Sequence, residues 1–369
     1  MINKIENLYV FILLLVTLNS CHEREASALL TIPVDNQSVS ALCLSEIALD
    51  IQSVPLELTD SSLIDINKVR RVFYDDNFIL IQNMAPYSIM LFERTGKFIR
   101  RIGMVGQGAE EYMAISDIAV DFNNRRVIVV SQRRLICYDF NGTFIKNVLV
   151  QSQGLPSCLG FVDGKLLFIG REFESVLENG VRFSRSLMYQ VDKDLHLVDS
   201  VELKRVTRPR MAWAQHHYND HITQCGDKIY QYEFEFNPEP SLRDTLFQIK
   251  DMERIPSLRL DFYSSGIDVN GERKIYLLNV YRSSRYVFAY YGLAEINEYF
   301  CFCYDMKTGK GYCIKDGYTD DVKHDGTIVK MRPLIQNTDK FYYLVTDMSE
   351  NSDSEEEPNP TLYIGTLKK

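Results

Sequence analysis

The sequence has little that would suit a nucleic-acid-binding protein or a helical membrane protein. Its formal net charge is −9, from 41 basic and 50 acidic residues. A surface that binds nucleic acid needs an excess of basic side chains opposite the phosphates. The apolar run Leu8–Leu18 has only eleven residues, whereas a membrane-spanning helix needs about 20. No later stretch has the pattern of a long amphipathic helix.

Short motifs of common enzyme classes are also absent. The sequence has no GxSxG motif, no complete zinc-protease motif and no convincing nucleophile–base pair. Gly103–Gly108 is rich in glycine, but strands rather than a helix are predicted to follow it, so it does not match a phosphate-binding loop. Its glycines are predicted to allow positive φ angles in a crossing between two β-units. An enzyme can assemble its site from loops that are far apart in the sequence, so missing motifs do not exclude catalysis.

The cysteines that follow Cys21 cannot all form disulfides with one another. Seven cysteines follow Cys21, and an odd number cannot pair completely. Cys301 and Cys303 alternate along a predicted strand and therefore share a face, with Cys313 on the next strand. A metal site or a disulfide is one interpretation. Small buried hydrophobes are the favoured one, because this spacing is unusual for zinc.

The first 20 residues have the pattern of a signal peptide. Lys4 precedes the apolar run, which ends in Leu-Asn-Ser-Cys. This ending resembles the bacterial lipobox, so we predict that Cys21 is lipidated and begins the mature protein. An ordinary signal peptide with a chance cysteine is the alternative. Residues 21–45 are predicted to be a flexible tether, and residues 46–369 the folded domain. The expected location is the cell envelope, as an outer-membrane lipoprotein facing the periplasm or the surface.

A repeat in the first half of the chain indicates the fold. The pattern of Phe92–Arg100 returns 46 residues later as Tyr138–Lys146. The two segments have aromatic, acidic, glycine, Phe-Ile and basic residues at matching positions. A period in the forties with several strands in each unit is typical of a β-propeller.

Strand and turn signals divide the chain into six groups. Asn141-Gly142 is a strong hairpin signal, and similar turns separate most neighbouring strands. Five groups have about four strands each, but the last, Thr327–Leu367, has three. Glu46–Leu58 alternates like a strand and could supply the fourth. We therefore predict an all-β, six-bladed propeller with about four antiparallel strands per blade, whose ring is closed by an N-terminal strand in the last blade.

Several segments resemble the six-bladed β-propeller lipoproteins of Gram-negative bacteria, which are similar to NHL repeats. The segments are Gly96–Ile99, Ile102-Gly103, Gly106–Tyr112, Ile118–Asp121, Asp244–Phe247, Asn359–Leu362 and Leu367–Lys369. Ala109 stands where the family usually has proline. The resemblance implies the fold and an envelope location, but no reaction.

The segment Trp213–His221 concentrates aromatic and histidine side chains. Trp213 and Tyr218 offer flat faces for a sugar or peptide, with His216 and His217 as polar groups. His217 and His221 would share one face of a helix and are weak candidates for a divalent metal. An exposed loop between blades is the simpler interpretation. No cofactor is expected, with a divalent metal as the alternative.

Two further groups are candidates for ligand binding. Arg282 and Arg285 could bind a carboxylate or phosphate, with Tyr286 beside them. Glu110 and Tyr112 follow the glycine-rich crossing and could reach a face of the propeller. The simpler interpretations are an exposed turn, and a loop in which a carboxylate caps N–H groups while a tyrosine covers the blade junction.

These observations favour a lipid-anchored, extracytoplasmic propeller that binds without catalysis. The expected partner is a glycan, a peptide or an envelope protein, with contact to the membrane through the lipid anchor only and no nucleic acid. The protein is expected to be a monomer. The alternative is a metal-dependent hydrolase or lyase with its site in the central channel. A scaffold role in an envelope complex is a third hypothesis, suggested by the fold alone.

Overall fold

A computed structural model shows a ring of antiparallel sheets. It describes residues 29–35, 39–150, 155–162, 164–176, 180, 182–207, 222–233, 242–263, 266, 273–346 and 358–369. Residues 29–55 contain β1 (Leu30–Pro33), the short helix α1 (Leu44–Ile47) and β2 (Ala48–Pro55). Within the described residues, no helix has the length and apolar content needed to cross a bilayer.

The first three blades follow in chain order. Blade 1 consists of β3 (Val69–Tyr74), β4 (Phe78–Met84), β5 (Tyr87–Glu93) and β6 (Phe98–Arg101). Blade 2 consists of β7 (Asp117–Asp121), β8 (Arg126–Ser131), β9 (Arg134–Asp139) and β10 (Phe144–Leu149). Blade 3 consists of β11 (Leu155–Val162), β12 (Lys165–Val176), β13 (Arg182–Val191) and β14 (Leu197–Val206).

The other three blades complete the ring. Blade 4 consists of β15 (Ile222–Cys225), β16 (Lys228–Gln231), β17 (Thr245–Lys250) and β18 (Glu253–Asp261). Blade 5 consists of β19 (Ile275–Arg282), β20 (Tyr286–Leu293), β21 (Glu298–Asp305) and β22 (Lys310–Lys315). A separate hairpin, β23 (Tyr318–Asp320) and β24 (Thr327–Val329), leads to blade 6. Blade 6 consists of β25 (Arg332–Pro333), β26 (Lys340–Val345), β27 (Thr361–Leu367) and β2.

The predicted closure of the ring is confirmed. β2 pairs antiparallel with β27 from Ala48 opposite Leu367 to Pro55 opposite Thr361. The N-terminal strand is therefore the outer strand of the last blade, and it covers an edge that would otherwise be open. The sixth group begins later than predicted, because Thr327–Val329 belongs to the separate hairpin and not to blade 6.

The predicted tether is corrected in its second half, because residues 29–35 and 39–45 form a strap along the outside of the ring. β1 pairs in parallel with β18 of blade 4, and Val39 forms an isolated bridge with Cys313 of blade 5. Ile32 and Leu44 are 0% exposed. The folded domain thus begins near Leu29 instead of Glu46. Cys21 and the predicted signal peptide lie outside the described residues.

The blades meet through apolar clusters that alternate with the sheets. In the described part of the chain, one such cluster lies between each pair of neighbouring blades. Between blades 1 and 2, for example, Leu80 and Leu91 pack with Ile118 and Val120. Each sheet therefore buries both faces, and only its edges and ends are left for function.

The described cysteines belong to this core. Cys301 and Cys303 share one face of β21, as predicted, but Cys313 lies directly opposite Phe302 and so points to the other face. Cys303 packs between blades 5 and 6 and Cys313 between blades 4 and 5. The six cysteines whose side chains are described are free thiols. The three thiols do not form a common site, and the interpretation as small buried hydrophobes fits their packing.

The ring has two faces, which we name after the backbone that reaches them. Each blade is a meander whose first strand is innermost, so all inner strands run in the same direction. The crossing face is the one at which inner strands begin, after the chain has crossed from the previous blade. The hairpin face is the one at which inner strands end and turn into the second strand.

Candidate ligand-binding cleft

The aromatic and histidine candidates lie outside the part of the chain that the structure describes. These are Trp213, His216, His217, Tyr218 and His221. Their role in binding, and the weak metal prediction for His217 and His221, remain predictions from sequence.

The arginine candidates lie on the hairpin face, in the turn between β19 and β20. Arg285 donates two hydrogen bonds to the Asp305 carboxylate, at 2.9 and 2.6 Å. This pair holds the pKa of Asp305 well below its usual range. The guanidinium of Arg282 lies over the Tyr230 ring, and Tyr286 is 1% exposed. The described contacts of this group are thus internal to the protein.

Glu110 and Tyr112 lie in the crossing from blade 1 to blade 2. Tyr112 is 1% exposed, and its ring meets Tyr138 edge to face. The neighbouring Glu111 carboxylate accepts a hydrogen bond from the Gly108 N–H at 2.9 Å. Burial raises the pKa of Tyr112 to about 12. A capped loop with a tyrosine over the blade junction is the arrangement that the simpler interpretation described.

The glycines of this crossing serve different purposes. Gly103 has a φ of +64°, as predicted, but Gly106 and Gly108 are not among the residues with positive φ. A Cβ on Gly106 would lie 1.8 Å from a Glu111 carboxylate oxygen. At these two positions the absence of a side chain lets the Glu111 carboxylate lie against the backbone. The crossing precedes an inner strand, whereas Arg282–Tyr286 follows one, so the two groups of candidates lie on opposite faces of the ring.

Residues of different blades meet between the inner strands of the ring. Arg71 of blade 1 forms an ion pair with Asp117 of blade 2 at 3.2 Å, with side chains 3% and 0% exposed. Asp117 also accepts a hydrogen bond from the Leu159 N–H of blade 3. On the hairpin face, the turn after β25 extends across the axis, where Gln336 donates to the carbonyls of Val120 and Phe161. Among the described residues, no three His, Cys, Asp or Glu side chains are grouped to hold a metal.

A bowl remains beside this turn on the hairpin face. Its volume is about 480 Å³, and its lining includes Tyr74, Asp121, Phe122 and Lys340. The carboxylate of Asp121 is engaged by Asn124, through the backbone N–H at 3.0 Å and the side-chain amide at 2.7 Å. The Asp121 carboxylate in the wall of the bowl is therefore already engaged within the protein.

Two large openings lie on the crossing face, where the regularity of the ring breaks. The inner strand of blade 6, β25, has two residues, whereas the equivalent β19 of blade 5 has eight. Two cavities of about 630 and 650 Å³ flank this short strand. Both are lined by Tyr290, Lys330 and Arg332. We call the two together the crossing-face cleft.

Tyr290 and Tyr299 line the cleft on blade 5, and Tyr276 lies on the same face of the sheet outside the lining. Tyr276, Gly292 and Tyr299 lie opposite one another on three neighbouring strands and so share a face. Tyr276 and Tyr299 are 48% and 45% exposed. The rings of Tyr290 and Tyr299 are stacked, with centroids 5.7 Å apart and an interplanar angle of 14°. A Cβ on Gly292 would lie 2.9 Å from the Tyr299 ring, so glycine allows this ring to lie on the strand.

Two cationic side chains, Lys330 and Arg332, lie between the two cavities. The Arg332 guanidinium donates to the carbonyls of Val69 and Arg70, at 3.0 and 2.6 Å, and so ties blade 6 to blade 1. Lys330 is exposed and makes no ion pair within the described part of the chain. Its charge acts on the Cys301 thiol, which also lines the cleft, but burial dominates and raises the pKa of Cys301 to about 12. Lys330 is thus free to meet a ligand, whereas Cys301 stays a protonated thiol.

The hairpin of β23 and β24 forms the outer wall. Tyr343 donates a hydrogen bond to the Asp320 carboxylate at 2.6 Å, and that carboxylate also accepts from the N–H groups of Val322 and Lys323. The strap holds the hairpin from outside, because the Thr319 N–H donates to Leu42 and Ser45 donates to Asp321. The hairpin is therefore held in place both by β26 of blade 6 and by the strap.

The family follows from a comparison over nearly the whole chain. Residues 29–368 match the model of a domain of unknown function, DUF4934. The chain belongs to the DUF4934 family. The match begins at the strap, in agreement with the boundary seen in the structure. A search of curated proteins finds no match.

One solved structure shares the fold of this DUF4934 domain, and others are less similar to it. A candidate exported protein from Bacteroides fragilis has a TM-score of 0.60 at 16% identity, over 92% of this chain and 99% of that one. The Pan2 WD40 domain of Neurospora crassa has a TM-score of 0.39 at 11% identity, over 85% and 80%. A Bacteroides caccae protein of unknown function has a TM-score of 0.37 at 10% identity, over 78% and 90%. At these identities the likeness concerns the fold alone.

The cleft of the DUF4934 domain was not predicted from the sequence, because it results from the shortness of the inner strand β25. Lys330 lies between a short hairpin and a two-residue strand, and Arg332 begins that strand, so no periodicity can develop there. Tyr290 and Tyr299 read as ordinary strand residues. One signal was present: Thr327–Arg332 leaves fewer residues for an inner strand than the other groups have.

Proposed function

We propose that this protein is a lipid-anchored binding protein of the bacterial envelope, which holds an extended ligand in the crossing-face cleft. The observation that carries the proposal is the junction of two cavities, of about 630 and 650 Å³, at Tyr290, Lys330 and Arg332. Ligand sites are typically concave and mostly apolar, with a few placed polar groups. Stacked tyrosine faces give contact area with little loss of side-chain entropy.

The proposed ligand is a glycan or a peptide, because both can use flat aromatic faces and a cation. The two cavities lie side by side along the rim of blades 5, 6 and 1, so a chain-like ligand would occupy both. No catalytic step is assigned to the cleft. The envelope location rests on the sequence of the first 21 residues and on the family resemblance of the propeller.

Native mass spectrometry tests this proposal with two defined probe mixtures. One contains cello-, chito- and xylohexaose, and the other an acetylated hexapeptide library. We expect members of one mixture to bind, and Tyr290→Ala and Lys330→Ala to weaken binding about tenfold, corresponding to about 1.4 kcal/mol.

Two matched variants serve as controls. Tyr263 is 73% exposed and follows the outer strand of blade 4, and Lys310 is exposed on the outer strand of blade 5. Replacing either by alanine should leave binding unchanged. The proposal fails if neither mixture binds, or if the cleft variants bind as well as the controls.

A further inference from the structure

Within the described residues, the short inner strand of blade 6 leaves part of β26 without a hydrogen-bonded strand on its inner side. β25 pairs with β26 only at Arg332 opposite Tyr342 and Pro333 opposite Phe341. The rest of β26, from Tyr343 to Val345, pairs with β27 on its other side. These three residues line the larger cavity of the crossing-face cleft together with Thr346. A strand edge therefore faces open space near the centre of the ring.

The hydrogen-bonding pattern shows which backbone groups face this space. The Leu334 N–H donates to the Lys340 carbonyl in β26, and the Leu367 N–H donates to the carbonyl of Asp339. Because backbone groups alternate in direction along an antiparallel strand, even-numbered residues of β26 face the inner edge and odd-numbered ones face β27. Leu344 thus directs its N–H and C=O into the cavity. Within the described residues, neither group has a partner.

We infer that the cleft binds an extended polypeptide segment, which adds to β26 as the missing part of the inner strand and bonds to the backbone of Leu344. This inference rests on the proposed function and names the class of its ligand. An unpaired strand edge is a template for another strand. The protein already uses strand addition at the outer edge of blade 4, where β1 pairs with β18.

The walls define the side chains that such a segment would carry. Leu344 packs on the side of blade 1, and Val345 on the side of blade 5. In the added strand, the residue opposite Leu344 would point towards Ile66 and Val69, which line that wall. Its neighbours would point towards Tyr290 and the second cavity. The segment is therefore expected to place an apolar residue opposite Leu344, with larger or polar residues on either side.

N-methylated peptides test the backbone contacts directly. The probe is the tightest member of the acetylated hexapeptide library, with one amide methylated at a time. Strand addition predicts alternation: methylation of the amide that donates to the Leu344 carbonyl weakens binding at least tenfold, and methylation of the adjacent amide has little effect. Equal sensitivity at adjacent amides, or no sensitivity at all, overturns the inference.

Amide hydrogen exchange gives an independent measurement on the protein. In the free protein the Leu344 amide should exchange fast, while those of Tyr343 and Val345 are protected by β27. Addition of the peptide should slow exchange at Leu344 at least tenfold. A Leu344→Pro variant removes this N–H and should lose peptide binding, whereas Leu344→Val should keep it. If Leu344→Pro does not fold, the methylated peptides and the exchange rates still decide.

The outcomes separate this inference from the proposed function. If an oligosaccharide binds, Tyr290→Ala weakens that binding and no peptide binds, the cleft is a ligand site but strand addition is overturned. If a peptide binds without protecting the Leu344 amide, strand addition is again overturned. If neither probe binds, both proposals fall.

Discussion

Burial gives two similar ion pairs very different expected effects on stability. The N–O distance is 3.2 Å for Arg71–Asp117 and 3.1 Å for Arg94–Asp76. The first pair is buried at the axis, but the Asp76 side chain is 94% exposed. Asp117→Asn leaves a buried guanidinium without its counter-charge and should lower the free energy of unfolding by about 3–5 kcal/mol. Asp76→Asn is the control and should cost less than about 1 kcal/mol. Equal losses in urea unfolding would contradict this assignment.

The Arg285–Asp305 pair should make stability depend on pH. Arg285 holds the pKa of the Asp305 carboxyl well below its usual range, which in the unfolded chain is about 3.9. Because the folded pKa is the lower one, the pair stabilises the fold above about pH 4 and loses this effect as the pH falls further. Asp305→Asn should therefore be less stable than the wild type at neutral pH, with a difference that shrinks in acid. A difference in unfolding free energy that stays constant with pH would contradict this.

The type of a residue does not show by itself whether its side chain contacts a ligand or the rest of the protein. Tyr112 and Arg285 have the chemistry of binding residues, but their described contacts are with Ile102 and Asp305 of the same chain. A sequence shows that an arginine can bind a carboxylate. It does not show whether that carboxylate belongs to the protein or to a ligand.

Regular elements were predictable because each blade repeats the same local signals. Turn residues such as Asn141-Gly142 mark the hairpins, and alternation marks the strands. The strap was not predicted, although Leu30, Ile32 and Val34 alternate, because its strand has only four residues. The short β25 was not predictable either, since its length follows from the geometry of the ring and not from a local pattern.

Truncation from the N-terminus should separate the roles of the strap and of β2. A chain that begins at Ser45 keeps β2 but loses Ile32 and Val34, which are 0% and 1% exposed. It should unfold at a lower temperature than a chain that begins at Leu29 and remain monomeric. A chain that begins at Asn67 also loses β2, exposes the edge of β27 and should aggregate. Thermal unfolding with light scattering measures both properties, and equal behaviour of all three chains would contradict these roles.

At the scale of the whole molecule, the direction of β1 in the strap indicates which face of the ring lies nearer the proposed lipid anchor, and hence where the cleft lies. β1 runs parallel to β18, the fourth strand of its blade, and both therefore run from the hairpin face to the crossing face. Leu30, at which β1 begins, thus lies towards the hairpin face. Cys21 lies eight residues before Leu29. A fully extended segment of eight residues spans at most about 28 Å. The hairpin face should therefore lie nearer the membrane and the crossing-face cleft farther from it.

This orientation gives the last prediction. Neutron reflectometry of the lipidated protein on a supported bilayer should place the hairpin face towards the lipid, leaving the cleft open to ligands. Metabolic labelling with a fatty-acid analogue should mark the wild type and not Cys21→Ser, which is the control for the anchor itself. If both are labelled equally, Cys21 is not the lipidated residue. If labelling depends on Cys21 but the cleft faces the bilayer, the anchor assignment stands and the orientation derived from β1 is wrong, because the chain before Leu29 would then have to turn back around the rim of blade 4.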